Sequence, residues 1–139
     1  MKASAPEGWH TVTPRIVVSD VEALIEFLRH TFGAEGEFRA AMPSEIRIGD
    51  SIVMVSGAGV RDTVTAFLYV YVADADATYE RALEAGAESL EEPMDLPYGD
   101  RRGMVKDPWN NIWQIATRQE TLSVDEIRKR HDAFDSKQK

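Results

Sequence analysis

The feature that most constrains the fold is an order of sequence patterns that occurs twice in this chain of 139 residues. Each time, an alternating segment rich in β-branched or aromatic residues leads to an Asp, a stretch with helical spacing, a Gly, and shorter alternating segments. The two units are residues 8–57 and 64–118. Because such a unit buries its apolar face against another one, the pattern predicts two repeats that share a core.

The first unit is predicted to begin with a strand at residues 11–18. Asp20 is the predicted cap of a helix whose apolar residues recur every three or four positions, and Gly33 ends it. Three short strands are predicted to follow, at about residues 36–42, 44–48 and 51–56.

The second unit repeats this order. Its predicted elements are a strand at residues 65–74, a helix at 75–87 that ends at Gly86, a short strand at 88–93, and two strands at 101–107 and 111–117. The last two strands are joined by a turn, Asp107-Pro108-Trp109-Asn110, in which Asn110 is expected to accept a left-handed backbone.

The remaining residues, 119–139, are predicted to form a C-terminal amphipathic helix and a tail. The helix spans residues 123–134, and Ser123 and Glu126 have the spacing of a capping box. Two interpretations of its apolar stripe stay open. The simpler one is packing on its own domain, and the other is covering of a sheet edge or of a second subunit.

Composition narrows the classes of partner. The net charge is −8 and there are no cysteines. An acidic chain without a basic stripe is not expected to bind nucleic acid, and it favours neutral or cationic ligands. The absence of cysteine excludes disulfides, thiolate zinc sites and thiol nucleophiles. The sequence shows neither a signal-peptide h-region nor an apolar run of membrane-spanning length, so we expect a cytoplasmic protein with no membrane partner.

Several segments together identify a resemblance that covers about residues 8–118. They read TPRIVVSDVEALIEFLRHTFGA, RIGDSIVMVS, LPYGDRRGMVKDP and DPWNNIWQIAT. They resemble the vicinal oxygen chelate superfamily, the group of glyoxalase I, bleomycin-resistance proteins, extradiol dioxygenases and fosfomycin-resistance enzymes. The resemblance implies an α+β fold of two βαβββ repeats, each curled into a half-barrel, with a cleft between the halves. Many members dimerise, so a homodimer is expected.

The resemblance also implies four strand positions where relatives bind Fe, Mn, Zn or Ni through His, Gln or Glu. In this chain the positions are filled by Thr13, Met54, Phe67 and Gln114. A phenylalanine supplies no lone pair, a thioether is soft, and one hydroxyl with one amide does not hold a divalent ion against water. The three histidines, His10, His30 and His131, do not replace the missing donors. We therefore expect no metal and no cofactor.

The cleft that remains is expected to be mostly apolar, with a few convergent polar groups, as in small-molecule pockets. The candidate ligand-binding residues are Thr13, Arg15, Met54, Phe67, Tyr69, Tyr71, Met104 and Gln114. Simpler alternatives stay open for some of them: the two tyrosines could be core aromatics, and Arg15 could pair with an internal acid rather than a ligand carboxylate. Trp113 is expected to pack under a helix, and Asp100, Arg101 and Arg102 are expected to form salt bridges in their hairpin.

The function predicted from these residues is metal-free binding of a small molecule, aromatic or cationic, for drug or metabolite sequestration. The alternative is an enzyme of the same superfamily: a metal-dependent lyase, isomerase or dioxygenase with an atypical ligand set, or a metal-free catalyst with Tyr69 or Arg15 as the acid. A module that interacts through its C-terminal helix is a third possibility. No catalytic residue is predicted, and the sequence does not identify the ligand.

Overall fold

The computed structural model describes residues 4–138, which form two β-sheets and three helices in an α+β arrangement. This confirms the predicted fold class. Lys139, the last residue of the predicted tail, lies outside the described residues. In chain order the elements are β1 (Arg15–Val18), α1 (Val21–Phe32), β2 (Ser44–Ile48), β3 (Ser51–Gly57), β4 (Phe67–Tyr71), α2 (Ala75–Glu84), β5 (Glu88–Asp95), β6 (Asp100–Lys106), β7 (Ile112–Arg118) and α3 (Val124–Gln138).

The two sheets have related strand orders. The first is β1-β3-β2 and the second is β4-β7-β6-β5. In each, the opening strand pairs in parallel with the last strand of the unit, and the other neighbours are antiparallel. The second sheet has one strand more than the first, so the described units are β-α-β-β and β-α-β-β-β.

The missing strand corrects a prediction, because residues 36–42 form no strand. Only Glu35, just before them, makes an isolated bridge, to Arg47 of β2. Gly36 has a φ of +135°, which lies outside the range of a regular strand. The backbone N–H of Arg39 then donates to the Ser44 hydroxyl at 2.9 Å instead of to a ladder partner. The alternating pattern was present, but local turns determine the path.

The first strand is also shorter than predicted, since it begins at Arg15 rather than at residue 11. Pro14 precedes it and has no N–H to give to a ladder. Its carbonyl still accepts from the Met54 N–H at 2.9 Å, which fixes the start of β1 against β3. As a consequence, Thr13 lies outside the strand.

Both predicted helix starts are confirmed. The Asp20 side chain accepts from the Ala23 N–H, and the Asp74 side chain accepts from the Ala77 N–H, each at 3.1 Å. Such caps satisfy donors that the first turn of a helix leaves free. At the other end of α1, Gly33 has a φ of +65°, as a left-handed C-cap requires.

One core lies between the two sheets and the helices α1 and α2. Its buried residues from the strands are Ile16, Val18, Ile46, Ile48, Val53, Val55, Val105, Trp113 and Ile115, and those from the helices include Leu24, Ile25, Leu28, Ala75, Tyr79 and Ala82. Side chains alternate between the two faces of a strand. Each sheet therefore directs one face to this shared core and has an outer face that points away from it.

The C-terminal helix α3 makes no extensive contact with any other helix or strand of the described chain. The predicted cap is confirmed, with the Glu126 N–H donating to the Ser123 hydroxyl at 3.1 Å. Val124, the first residue of its apolar stripe, is 71% exposed. Packing of α3 on its own domain therefore gains no support. Within residues 4–138, no helix is both long and apolar enough to cross a membrane.

Candidate functional site

The turn between β6 and β7 has a structural role, because it holds β7 in place beside β4. Asp107 is 2% exposed, and its carboxylate accepts from the backbone N–H groups of Trp109 and Asn111, both at 2.9 Å. It also accepts from the Asn111 side-chain amide and from the indole N–H of Trp113, again at 2.9 Å. The Asn111 side-chain oxygen in turn accepts from the Ala66 N–H at 2.8 Å, which ties β7 to the start of β4.

Two predictions for this hairpin are confirmed. Asn110 has a φ of +71°, the left-handed conformation expected of it. Trp113 is fully buried, and its ring lies 5.3 Å from the ring of Phe32 at the end of α1. Since Trp113 lies on the core side of β7, its neighbour Gln114 lies on the outer face.

The outer face of the four-stranded sheet brings five of the predicted residues together. In the strand register, Tyr69 of β4 is opposite Gln114 of β7, and Gln114 is opposite Met104 of β6. Phe67 and Tyr71 lie on the same face of β4 as Tyr69. We call this surface the tyrosine face; its residues are Phe67, Tyr69, Tyr71, Met104 and Gln114, together with Asp100 and Arg118, described next.

The aromatic row on β4 is unusually accessible. Phe67 is 66% exposed, Tyr69 37% and Tyr71 55%. The rings of the two tyrosines lie 5.3 Å apart at an angle of 58°. These exposures show that neither tyrosine is a core aromatic. Contiguous exposed aromatic surface commonly marks a binding surface.

Asp100 holds the two tyrosines. Although it is fully buried, it lies on the same face, and one of its oxygens, Oδ2, accepts from the hydroxyl of Tyr69 at 2.6 Å and from that of Tyr71 at 2.8 Å. Its other oxygen, Oδ1, accepts from Nε of Arg118 at 2.5 Å. The hydroxyls therefore point into the protein, and the exposed parts of both tyrosines are mainly their rings.

A second row of hydrogen bonds extends this network across the sheet. The Tyr98 hydroxyl lies 3.1 Å from that of Tyr69 and accepts from Nη1 of Arg102 at 3.2 Å. Nη2 of Arg102 donates to the Glu91 carboxylate at 2.8 Å. The tyrosine hydroxyls thus form part of a continuous polar chain, and their positions are fixed at several points.

The salt bridges predicted for the 100–102 stretch are all present. Arg101, on the opposite face from Asp100, pairs with Asp76 of α2 at 2.7 Å and with Asp95 of β5 at 3.1 Å. What the sequence did not reveal is that Asp100 also organises the tyrosines, together with Arg118. The parity of β6 could have signalled this, because Asp100 and Met104 are four residues apart and share a face.

The protonation states of the network follow from its geometry. Burial alone would raise the pKa of Asp100, but the hydrogen bonds from Tyr69, Arg118 and Tyr71 outweigh it and hold the pKa below its usual value. For Tyr69, burial and then the hydrogen bond to Asp100 raise the pKa above its ordinary value. At neutral pH the carboxylate is charged and the phenol is protonated. A phenol held in this way is a poor general acid, which argues against Tyr69 as a catalyst.

The other predicted residues belong to the three-stranded sheet. Met54 of β3 lies between Arg15 of β1 and Glu45 of β2 in the strand register. Arg15 is exposed, and its Nε donates to the Ser56 hydroxyl at 3.2 Å. The alternative in which Arg15 pairs with an internal acid therefore gains no support. Thr13, just before β1, is half-buried.

Seven of the eight predicted residues thus form two groups, one on the outer face of each sheet, and Thr13 lies just before β1. Both sheets turn their other faces to the same core. Arg15 and Met54 have the parity that points away from that core, as do the residues of the tyrosine face on the other sheet.

The residues at the four metal positions of the family do not fit a divalent ion. Phe67 offers no donor atom, and Met54 offers a thioether whose neighbour in the register is the cation Arg15. His30 is engaged with Glu84 at 3.1 Å, away from both outer faces. Throughout residues 4–138, no three His, Cys, Asp or Glu side chains are grouped so that they could bind a metal.

Solved structures share this fold. TioX from Micromonospora sp. ML1 superposes with a TM-score of 0.66 at 22% sequence identity, covering 82% of this chain and all of that one (100%). A glyoxalase-related enzyme from Fulvimarina pelagi superposes with a TM-score of 0.65 at 24% identity, covering 78% of this chain and 87% of the enzyme. At these identities the likeness concerns the fold.

Sequence comparison gives the family. The uncharacterized protein Mb0911c of Mycobacterium bovis is 29% identical over 135 residues, covering 84% of this chain and 89% of that protein. The family model of the glyoxalase/bleomycin resistance protein/dioxygenase superfamily matches residues 9–115, which include both sheets up to the middle of β7. The chain therefore belongs to the glyoxalase/bleomycin resistance protein/dioxygenase superfamily.

Proposed function

We propose that this protein binds a small, flat, partly aromatic molecule on the tyrosine face, without a metal ion, and so sequesters a drug or metabolite. The observation that carries the proposal is the row of Phe67, Tyr69 and Tyr71, whose rings are exposed while the two hydroxyls are held by buried Asp100. Rigid aromatic surface binds planar ligands at a small cost in conformational entropy.

Chemistry at the metal positions supports the binding role. Thr13, Met54, Phe67 and Gln114 lack the several hard donors that an oxygen-activating or Lewis-acid ion needs. Tyr69 is a weak acid in its setting, and Arg15 is exposed beside a serine hydroxyl. No observation favours the metal-dependent enzyme or the metal-free catalyst.

We further propose that the binding unit is a homodimer. The aromatic row of the tyrosine face is exposed, and Arg15 and Met54 lie on the outer face of the other sheet of the same chain. If the tyrosine face of one copy lies opposite the Arg15–Met54 face of the other, all the candidate residues meet at a cleft between two chains. Such pairing would be isologous and would create two equivalent sites.

The binding proposal is tested by two-dimensional NMR with a panel of planar aromatic compounds. We expect a binder to shift the backbone signals of Phe67, Tyr69 and Gln114 and to lose about tenfold in affinity on Phe67→Ala. Val124→Ala is the matched control, since Val124 is a comparably exposed apolar residue on α3, and it should leave binding unchanged.

Two outcomes would contradict the proposal. One is that no compound in a broad panel binds, and the other is that binding is equally weakened by both substitutions. The metal-free part is tested separately by elemental analysis of dialysed protein, where a stoichiometric transition metal would overturn it.

A further inference from the structure

We propose that Arg118 occupies, in the ligand-free chain, the position that a cationic group of the ligand takes on binding. The ligand class is then an aromatic compound that carries an amidinium, guanidinium or ammonium group. This inference rests on the proposed function and specifies the ligand of the same site.

The contacts of Arg118 are those that such a cation would use. Its Nε donates to Oδ1 of Asp100 at 2.5 Å, and its Nη2 donates to the Tyr71 hydroxyl at 3.2 Å. Its guanidinium carbon lies 5.9 Å from the centre of the Tyr71 ring, within the range of cation–π attraction. A carboxylate and an aromatic ring together make a recognition site for an organic cation, which Arg118 fills from within the chain.

The two ends of this ion pair differ in how firmly they are held. Asp100 has a side chain with 0% exposure, whereas that of Arg118 is 44% exposed. Arg118 is also the last residue of β7, and its long side chain regains rotamer freedom when it is released. The carboxylate is therefore the fixed part of the site, and the arginine is the part that can be displaced.

The fixed carboxylate explains why the ligand must be cationic. A buried anion that loses its partner is strongly destabilising, so a neutral molecule that displaced Arg118 would leave Asp100 unpaired. A ligand that brings its own cation keeps the charge balance while its ring packs against Phe67 and the tyrosines. The net charge of −8 also favours the approach of cations over anions.

The neighbouring Arg101 provides a contrast. It binds Asp76 and Asp95, whose side chains are both about half exposed or more, and no aromatic ring within residues 4–138 makes a cation–π contact with it. Its ion pairs tie β6 to α2 and β5, away from the tyrosine face. Displacement of Arg101 would expose no site for an aromatic cation, so it serves as the matched control.

The test is chemical rescue of the variant Arg118→Ala. Removing the guanidinium leaves Asp100 without its cation, so the melting temperature should fall, and benzamidine should raise it again. Benzamide, the neutral compound of the same shape, should not. Benzamidine should also bind Arg118→Ala about tenfold more tightly than wild type, measured by isothermal titration calorimetry, because it no longer competes with the side chain.

Several results would overturn the inference: equal stabilisation of Arg118→Ala by benzamidine and benzamide, equal affinity of benzamidine for wild type and variant, or the same rescue of Arg101→Ala. If Arg118→Ala does not fold, Arg118→Gln, whose shorter side chain retains an N–H donor group without the charge, gives the same calorimetric comparison. A wild type that binds neutral aromatics, with no gain for benzamidine in the variant, refutes this inference alone. If no aromatic compound binds any form, the proposed function fails as well.

Discussion

At the residue scale, Asp100 decides what the tyrosine face offers to a ligand. It is buried, charged, and bonded to Tyr69, Tyr71 and Arg118 at once. Without it, the two phenols would be free to turn towards solvent and to act as donors. With it, the proposed ligand would meet ring surfaces of fixed orientation, so shape, π-contacts and the charge of Asp100 would determine recognition more than hydrogen bonds to the phenols.

Asp100 also makes stability depend on pH. Its folded-state pKa is held below the usual value, so its contribution is present above the unfolded-state pKa of about 4 and is lost as the pH falls through the folded value. We expect Asp100→Asn to lose about 1–3 kcal/mol at pH 7 and to show a smaller further loss than wild type between pH 4 and pH 2. Urea unfolding across this range measures both.

The control for that experiment is Asp95→Asn, because Asp95 is also an arginine partner but is 69% exposed. It should change stability by no more than about 0.5 kcal/mol. Parallel acid-induced losses in wild type and Asp100→Asn would show that Asp100 is not held charged by its neighbours.

Sequence reasoning reached some of these residues and missed others for a physical reason. Phe67, Tyr69 and Tyr71 were found because alternation along one strand reveals which side chains share a face. Asp100 and Arg118 lie at the ends of β6 and β7, and their meeting depends on the register between the strands, which gives the pair Asp100–Arg118. The residue pattern of a single strand does not reveal how that strand is aligned with its neighbour.

At the scale of elements, the β6–β7 hairpin sets the position of the site. The side chain of Asp107 replaces a backbone partner for several N–H groups in the turn, and Asn111 carries the connection to β4. Since β4 carries the aromatic row and β7 carries Gln114, this buried cluster keeps the two strands in register. The cluster gives the residues of the turn a structural role, and no catalytic role is needed to explain their sequence.

We expect Asp107→Asn to destabilise the protein by at least about 2 kcal/mol. The substituted amide has one acceptor where the carboxylate has two, and its NH₂ group would face the N–H donors of Asn111 and Trp113. Urea unfolding followed by tryptophan fluorescence measures the loss. Asp62→Asn, at an exposed position, is the control, and a variant at Asp107 as stable as that control would contradict the structural role.

Comparison of the predicted with the observed elements shows where the sequence pattern does not determine the fold. The three helices and six of the seven strands were predicted at nearly their observed positions, because caps and periodicity are local signals. Residues 36–42 alternate like a strand, but Gly36 and the Arg39–Ser44 hydrogen bond direct the chain elsewhere. A strand also needs a neighbour on its edge, and here the edge of β2 is met by Glu35 instead.

At the scale of the whole molecule, the two outer faces and the C-terminal helix are the candidate surfaces for the proposed contact with a second copy. The tyrosine face combines exposed aromatic rings with a buried ionic network. The helix α3 has a thin apolar stripe and little contact with the body. An interface needs a well-packed apolar centre, so the tyrosine face is the better candidate.

We expect the protein to behave in solution as a dimer of two 15.6 kDa chains, and Phe67→Arg to convert it to a monomer by placing a cation at the interface centre. Size-exclusion chromatography with light scattering measures this. Val124→Arg, and removal of residues 122–139, should leave the dimer intact. A dimer that survives Phe67→Arg but is lost on truncation would assign the interface to α3.

The unequal number of strands in the two sheets affects the size of the ligand that the proposed cleft would accept. If the proposed cleft forms between the three-stranded sheet of one copy and the four-stranded sheet of the other, one wall would end in the edge strand β5, and the other would have no strand at residues 36–42. A ligand longer than this proposed cleft would then bind with its flat end inside the cleft and its other end in solvent. Large substituents on the end in solvent would not weaken binding, whereas large substituents on the end inside the cleft would.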